Sequence, residues 1–169
     1  MQKIGWIGVG IMGKAMVRNL MKAGYQPHIY ARHPEKVADV VSEGAVFHDS
    51  IADCVKASDV VITMVGFPKD VEEVYFTPGA ILDNAAKDTL LIDMTTTSPT
   101  LAKRIAEEGA QRGLRVLDAP VTGGDTGAKA GTLSILVGGQ RADFDTALPI
   151  FQAMGKTITY FGPAGCGQH

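Results

Sequence analysis

Residues 3–13 read Lys3-Ile4-Gly5-Trp6-Ile7-Gly8-Val9-Gly10-Ile11-Met12-Gly13. The run Lys3–Gly8 is short, apolar and β-prone, and it breaks into glycines. Lys14–Ala23 follows, with Ala15, Met16, Leu20 and Ala23 on one helical face, and Gly24 ends it. Gly8 through Gly13 therefore match G-x-G-x-x-G between a strand and a helix, the context that gives this otherwise weak string its meaning. Gly8 permits a tight turn. Gly10 lets backbone approach a pyrophosphate with no Cβ in the way, and Gly13 lets the helix pack close to the strand. The helix start offers free N–H groups and the positive end of its dipole. Gly8, Gly10, Ile11, Met12 and Gly13 are thus expected to cradle phosphates. A plain strand–helix turn and an S-adenosylmethionine loop are the competing readings. The latter is usually followed by an acidic ribose-binding residue at the end of the second strand, and none stands there.

Working outward, strands alternate with helices. Strands are expected at Gln26–Ala31, Ala45–Phe47, Asp59–Val65, Thr89–Asp93, Leu114–Asp118, Thr132–Val137 and Lys156–Phe161. Asp59–Val65 is a continuous apolar run, as in a parallel strand buried on both faces. Helices are expected over Glu35–Glu43 behind Pro34, from Asp49 or Ser50 to Ala57, from near Pro68, over Pro99–Gln111 capped by Ser98, and over Ala142–Met154. Seven or eight strands with helices between them imply a Rossmann-type, doubly wound α/β fold: a mostly parallel sheet with helices on both faces. Ala119–Gly131, rich in Gly and Thr, reads as one long irregular loop, and such loops are usually functional or mobile.

The chain has 169 residues, one domain by length, and enough to bury a core without disulfide or metal staples. Glycine is abundant, 20 of 169 residues, against an ordinary ~7%. Net charge is −2, which suggests neither nucleic acid nor an anionic membrane as partner. The charge is uneven: residues 1–34 carry Lys3, Lys14, Arg18, Lys22 and Arg32 and no acid. That favours a phosphate-bearing ligand, although Lys14, Arg18 and Lys22 would equally suit a solvated helix face. Cys54 and Cys166 lack metal-ligand spacing and fit a reducing compartment. No apolar run is long enough for a membrane span and no signal peptide is read, so a cytoplasmic location is expected.

The cofactor turns on the end of the second strand, Ile29-Tyr30-Ala31-Arg32-His33. NAD enzymes place an acid here for the ribose 2′-hydroxyl. A carboxylate would repel a 2′-phosphate, whereas Arg32 would attract one with bidentate geometry. NADP is therefore favoured over NAD, with Ala31, Arg32 and His33 around the adenosine.

Residues 4–25, IGWIGVGIMGKAMVRNLMKAGY, resemble the opening of the β-hydroxyacid dehydrogenase family. Three further motifs follow in order: Asp59–Val65, Leu91-Ile92-Asp93-Met94-Thr95-Thr96-Thr97-Ser98-Pro99, and Asp118-Ala119-Pro120-Val121-Thr122-Gly123-Gly124. The resemblance continues through Gly127-Ala128, Ala130–Leu133, Val137–Gly139 and Gly162–Gly167, so it covers essentially the whole chain. It implies that Met64, Val65 and Gly66 lie along the cofactor and that Thr96 contacts the nicotinamide ribose region. Val65-Gly66 departs from the family's usual Leu-Pro. Thr122, Gly123 and Gly124 would hold a substrate carboxylate, because successive N–H groups and a hydroxyl make an anion nest. Thr122 stands where the family usually has Ser.

The family's general acid/base is a lysine soon after a glycine turn similar to Gly165-Cys166-Gly167. By that pattern it falls a residue or two beyond His169. Residues 1–169 are then expected to be the NADP-binding domain, without the all-helical domain that follows in the family and makes its dimer. The parent is expected to be a homodimer or homotetramer acting on a small carboxylate substrate, a β-hydroxyacid or its semialdehyde, and the isolated chain to be inactive. A non-catalytic dinucleotide-sensing module and an imine reductase are the alternative functions. No catalytic residue and no metal ligand is assigned within the chain. His28 and His48 lack carboxylate partners in sequence, Cys54 reads as packing, and His169 is expected to be disordered. Asp93 and Asp118 read as structural strand-end residues.

Overall fold

The structure, a computed structural model, describes residues 2–168. The expectation for His169 lies outside them. The strands are β1 (Ile4–Ile7), β2 (His28–Tyr30), β3 (Val46–Phe47), β4 (Val60–Thr63), β5 (Leu90–Asp93), β6 (Arg115–Asp118), β7 (Val121–Thr122), β8 (Leu133–Gly138) and β9 (Gly155–Gly162). The helices are α1 (Ile11–Lys22), α2 (Ala38–Ser42), α3 (Ile51–Lys56), α4 (Pro68–Phe76), α5 (Ile81–Asn84), α6 (Pro99–Gln111), α7 (Gly124–Ala130) and α8 (Arg141–Met154).

Among the described residues, nine strands join one sheet in the order β3-β2-β1-β4-β5-β6-β8-β7, with β9 paired to β8. The first six are parallel, in the strand order of a doubly wound dinucleotide-binding sheet. β8 runs antiparallel to β6 and β7. Alternate side chains serve opposite faces, as a strand requires. Val60, Ile62, Leu90 and Ile92 join a core with Trp6, Met16, Leu20 and Phe151, whereas Val61 and Leu91 join Cys54, Val71, Tyr75 and Ile105 on the other face. Every one of these side chains is buried. No helix among the described residues is long and apolar enough to cross a membrane.

Three expectations are corrected. The helix expected over Glu35–Glu43 is split into a 3₁₀ turn at Pro34–Lys36 and α2. Val37 leaves helical geometry, at φ −116°, where its side chain is fully buried. Ala119–Gly131 is not one loop: it holds β7 and α7, the latter closed by Gly131 in the left-handed region. The buried Asn19 Nδ2 donates to the Ala128 carbonyl at 2.7 Å and fastens α7 to α1. Finally, the strands number nine among the described residues, and α5 was not anticipated.

Candidate functional site

The strand order reverses between β1 and β4, and open α/β sheets bind ligands at the carboxyl ends of strands at such a point. Met64 N–H donates to the Ile7 carbonyl at 2.9 Å, so the segments leaving the two strands start side by side. A cleft of about 540 Å³ opens there. Gly8, Gly10, Ile11, Met12 and Gly13 line it, with Ala31, Arg32 and His33 from one side and Met64, Val65 and Gly66 from the other.

The three motif glycines have different duties. Gly8 has φ +98°, and a Cβ there would collide with the Met64 carbonyl. At Gly13 a Cβ would lie 2.7 Å from the Gly8 carbonyl oxygen, so α1 could not sit so close to the loop. Gly10 differs: its φ is −85°, and a Cβ would meet nothing within 4 Å. Its bare surface faces open space. Trp6 Nε1 donates to the Gly8 carbonyl at 3.2 Å and steadies the turn from below. α1 has no side-chain cap and no acid in its first turn, leaving its amides and dipole end to a ligand.

The other lip of the cleft rests on a buried network. Thr95 Oγ1 accepts from Val65 N–H at 3.0 Å, Thr95 N–H donates to Asp93 Oδ1 at 3.1 Å, and Thr63 Oγ1 lies 2.9 Å from that oxygen. Tyr75 Oη completes the chain 2.8 Å from Thr63 Oγ1. Burial pushes the Asp93 carboxyl up to about 6 against the pull of its hydrogen bonds from Thr95 and Thr63. Burial also raises Asp118, which accepts from Gly165 N–H at 2.8 Å and leaves Oδ2 without a partner among the described residues. Both aspartates end strands and are buried. Thr96 is exposed and does not line the cleft.

Thr122, Gly123 and Gly124 are exposed at the start of α7. Gly123 and Gly124 have φ +129° and +61°, backbone conformations that favour glycine. The neighbouring Asp125 lines the cleft. Gln168 ties the end of the described chain to the β5 loop, donating to the Thr95 carbonyl at 2.9 Å and accepting from Thr97 N–H at 2.9 Å.

Sequence reasoning missed several cleft residues. Lys36 and Asp70 line it, and Glu73 stands 3.3 Å from Arg32. Lys36 carried a signal, lying one turn after the Arg32-His33 pair, whereas the two α4 acids carried none. Lys14 and Arg18 line an adjoining groove of about 670 Å³ beside α1, which shares Val9, Gly10, Ile11 and Lys36 with the cleft. They pair with Asp39 at 3.1 and 3.0 Å, and Arg18 also pairs with Glu43 at 2.9 Å. Much of the amino-terminal positive charge is thereby answered locally. His28 Nδ1 and His48 Nε2 lie 2.8 Å apart, and Cys54 is buried with its thiol pushed up to about 12, away from the cleft. No cluster of metal-ligating side chains occurs among the described residues.

A family model described as the NAD binding domain of 6-phosphogluconate dehydrogenase matches residues 3–162. An uncharacterized oxidoreductase of Bacillus subtilis, YkwC, is 50% identical over 98% of this chain and 58% of its own. The structure of a 3-hydroxyisobutyrate dehydrogenase from Mycobacterium tuberculosis with L-serine superimposes with a TM-score of 0.94 at 34% identity, over 99% of this chain and 57% of that one. The structure of Psf3 in complex with NADP+ and 2-OPP superimposes with a TM-score of 0.94 at 30% identity, over 98% of this chain and 58% of that one. The chain spans little more than half the length of these relatives.

Proposed function

The chain belongs to the β-hydroxyacid dehydrogenase family, which includes 6-phosphogluconate dehydrogenase, and we propose that its cleft binds NADP(H) as part of an oxidoreductase for a small hydroxyacid and its carbonyl partner. The observation that carries this reading is the open face of Gly10 between two glycines that cannot be replaced without moving backbone. Backbone can reach a diphosphate there, and the uncapped start of α1 supplies donors and positive potential. Arg32, 63% exposed, has the reach and the charge for a 2′-phosphate, with His33 and Lys36 beside it. Met64, Val65 and Gly66 would run along the dinucleotide, held in register by Thr95. When bound, the nicotinamide supplies the hydride acceptor or donor.

Thr122, Gly123 and Gly124 would hold the substrate carboxylate near the same lip. Asp93 and Asp118 are buried and bonded to backbone, which supports positioning rather than proton transfer. Residues 1–169 are therefore expected to bind cofactor without turnover. Calorimetric titration with NADPH and NADH tests the reading: saturable binding at one site, tighter for NADPH, is expected. Absence of binding by both nucleotides contradicts it. Reduction of glyoxylate or succinic semialdehyde by this chain alone would contradict the assignment of the acid/base to a residue outside it.

A further inference from the structure

Arg32 does not stand free. Its Nη2 lies 3.3 Å from Glu73 Oε2 and 3.9 Å from Asp70 Oδ1, both on α4 across the cleft. Asp70 is fixed in place, since its Oδ2 accepts from Phe67 N–H at 3.0 Å and closes the first turn of α4. Glu73 is half exposed and nothing else is bonded to its carboxylate among the described residues, so it can swing. One guanidinium therefore faces two carboxylates, with Lys36 the other cationic side chain on this part of the wall and His33 beside it.

Resting on the cleft's reading as the nucleotide site, we propose that Glu73 is the specificity-determining residue that sets the NADP-to-NAD ratio by acting through Arg32. Without ligand it neutralises the guanidinium. A 2′-phosphate carries nearly two negative charges and must take Arg32 from Glu73 while sitting near both carboxylates. A ribose 2′-hydroxyl has the opposite preference, because it can donate to a carboxylate. The acid that NAD sites carry at the end of the second strand is absent here, and α4 supplies one from the facing wall. The chain thus holds an arginine suited to the phosphorylated ribose and a glutamate suited to the bare one, and it accepts both dinucleotides with a modest preference for NADPH. The pair does little for stability, as both side chains are solvated. Its consequence is selectivity.

The test is calorimetric titration of the native chain, Glu73→Gln, Arg32→Ala and the double variant with NADPH, NADH and adenosine 2′,5′-bisphosphate, with thermal melts confirming that each variant is folded. Glu73→Gln is expected to tighten NADPH and the bisphosphate by up to about fivefold, to leave NADH unchanged or weaker, and to lose most of this effect when Arg32 is absent. An unchanged NADPH-to-NADH affinity ratio in Glu73→Gln overturns the proposal while leaving the nucleotide site intact. Failure of the native chain to bind any of the three overturns both.

Discussion

The hydroxyl of Thr95 accepts a hydrogen bond from the backbone of Val65 at 3.0 Å, joining the segments that leave β4 and β5 at the lip of the cleft. Thr95 is itself held by the Asp93 carboxylate. Thr95→Val keeps the shape and removes the acceptor, leaving a part-buried N–H unsatisfied. It is expected to cost about 1–3 kcal/mol in denaturant unfolding and to weaken both nucleotides, whereas Thr95→Ser keeps the acceptor and stays near native.

The Asp93 carboxyl should leave a mark on the pH dependence of stability. Its folded value, about 6, lies above the ordinary aspartate value of 3.8. Between these values the native state holds the proton more tightly than the unfolded chain. This group therefore lowers stability as pH rises from about 4 to about 6. Asp93→Asn removes that contribution and retains an acceptor for Thr95 and Thr63. Urea unfolding of both proteins across pH 4–8 checks this. Relative to native, the variant should gain stability as pH rises through the window, and parallel profiles would contradict it.

Arg32→Ala should reduce NADPH affinity tenfold or more, about what one charge-assisted hydrogen bond supplies, with a small effect on NADH. Equal losses for the two nucleotides would show that Arg32 does not touch the feature that distinguishes them. The change should barely affect melting temperature, because the side chain is exposed.

Gly8→Ala should instead damage the fold. Its φ of +98° and the adjacent Met64 carbonyl leave no room for a Cβ. A loss of about 2–4 kcal/mol is expected from strained backbone and overpacking together, measured by chemical denaturation.

Much of this architecture was legible because its signals are local. Ser98 and Pro99 announce α6 through a cap and a preset φ, and the structure has Ser98 Oγ accepting from Leu101 N–H with the helix ending at Gln111. The glycine loop was legible for the same reason. α7 was not: Gly124–Ala130 has almost no apolar period and owes its place to contact with α1 through Asn19. Thr95 and Thr96 are chemically identical neighbours, and which one turns inward depends on the residue at which β5 ends. The facing of Arg32 by Glu73 joins residues 41 apart in sequence, a relation that only the assembled sheet creates.

The most direct measurement is calorimetric titration of Gly10→Ala with NADPH beside its thermal melt. A Cβ at Gly10 meets no protein atom within 4 Å and the backbone there is unstrained, so the fold has no reason to object. The account predicts a near-native melting temperature and at least a tenfold loss of affinity, the cost of about one phosphate hydrogen bond. Native affinity in the folded variant would contradict the claim that this bare stretch of backbone receives the diphosphate.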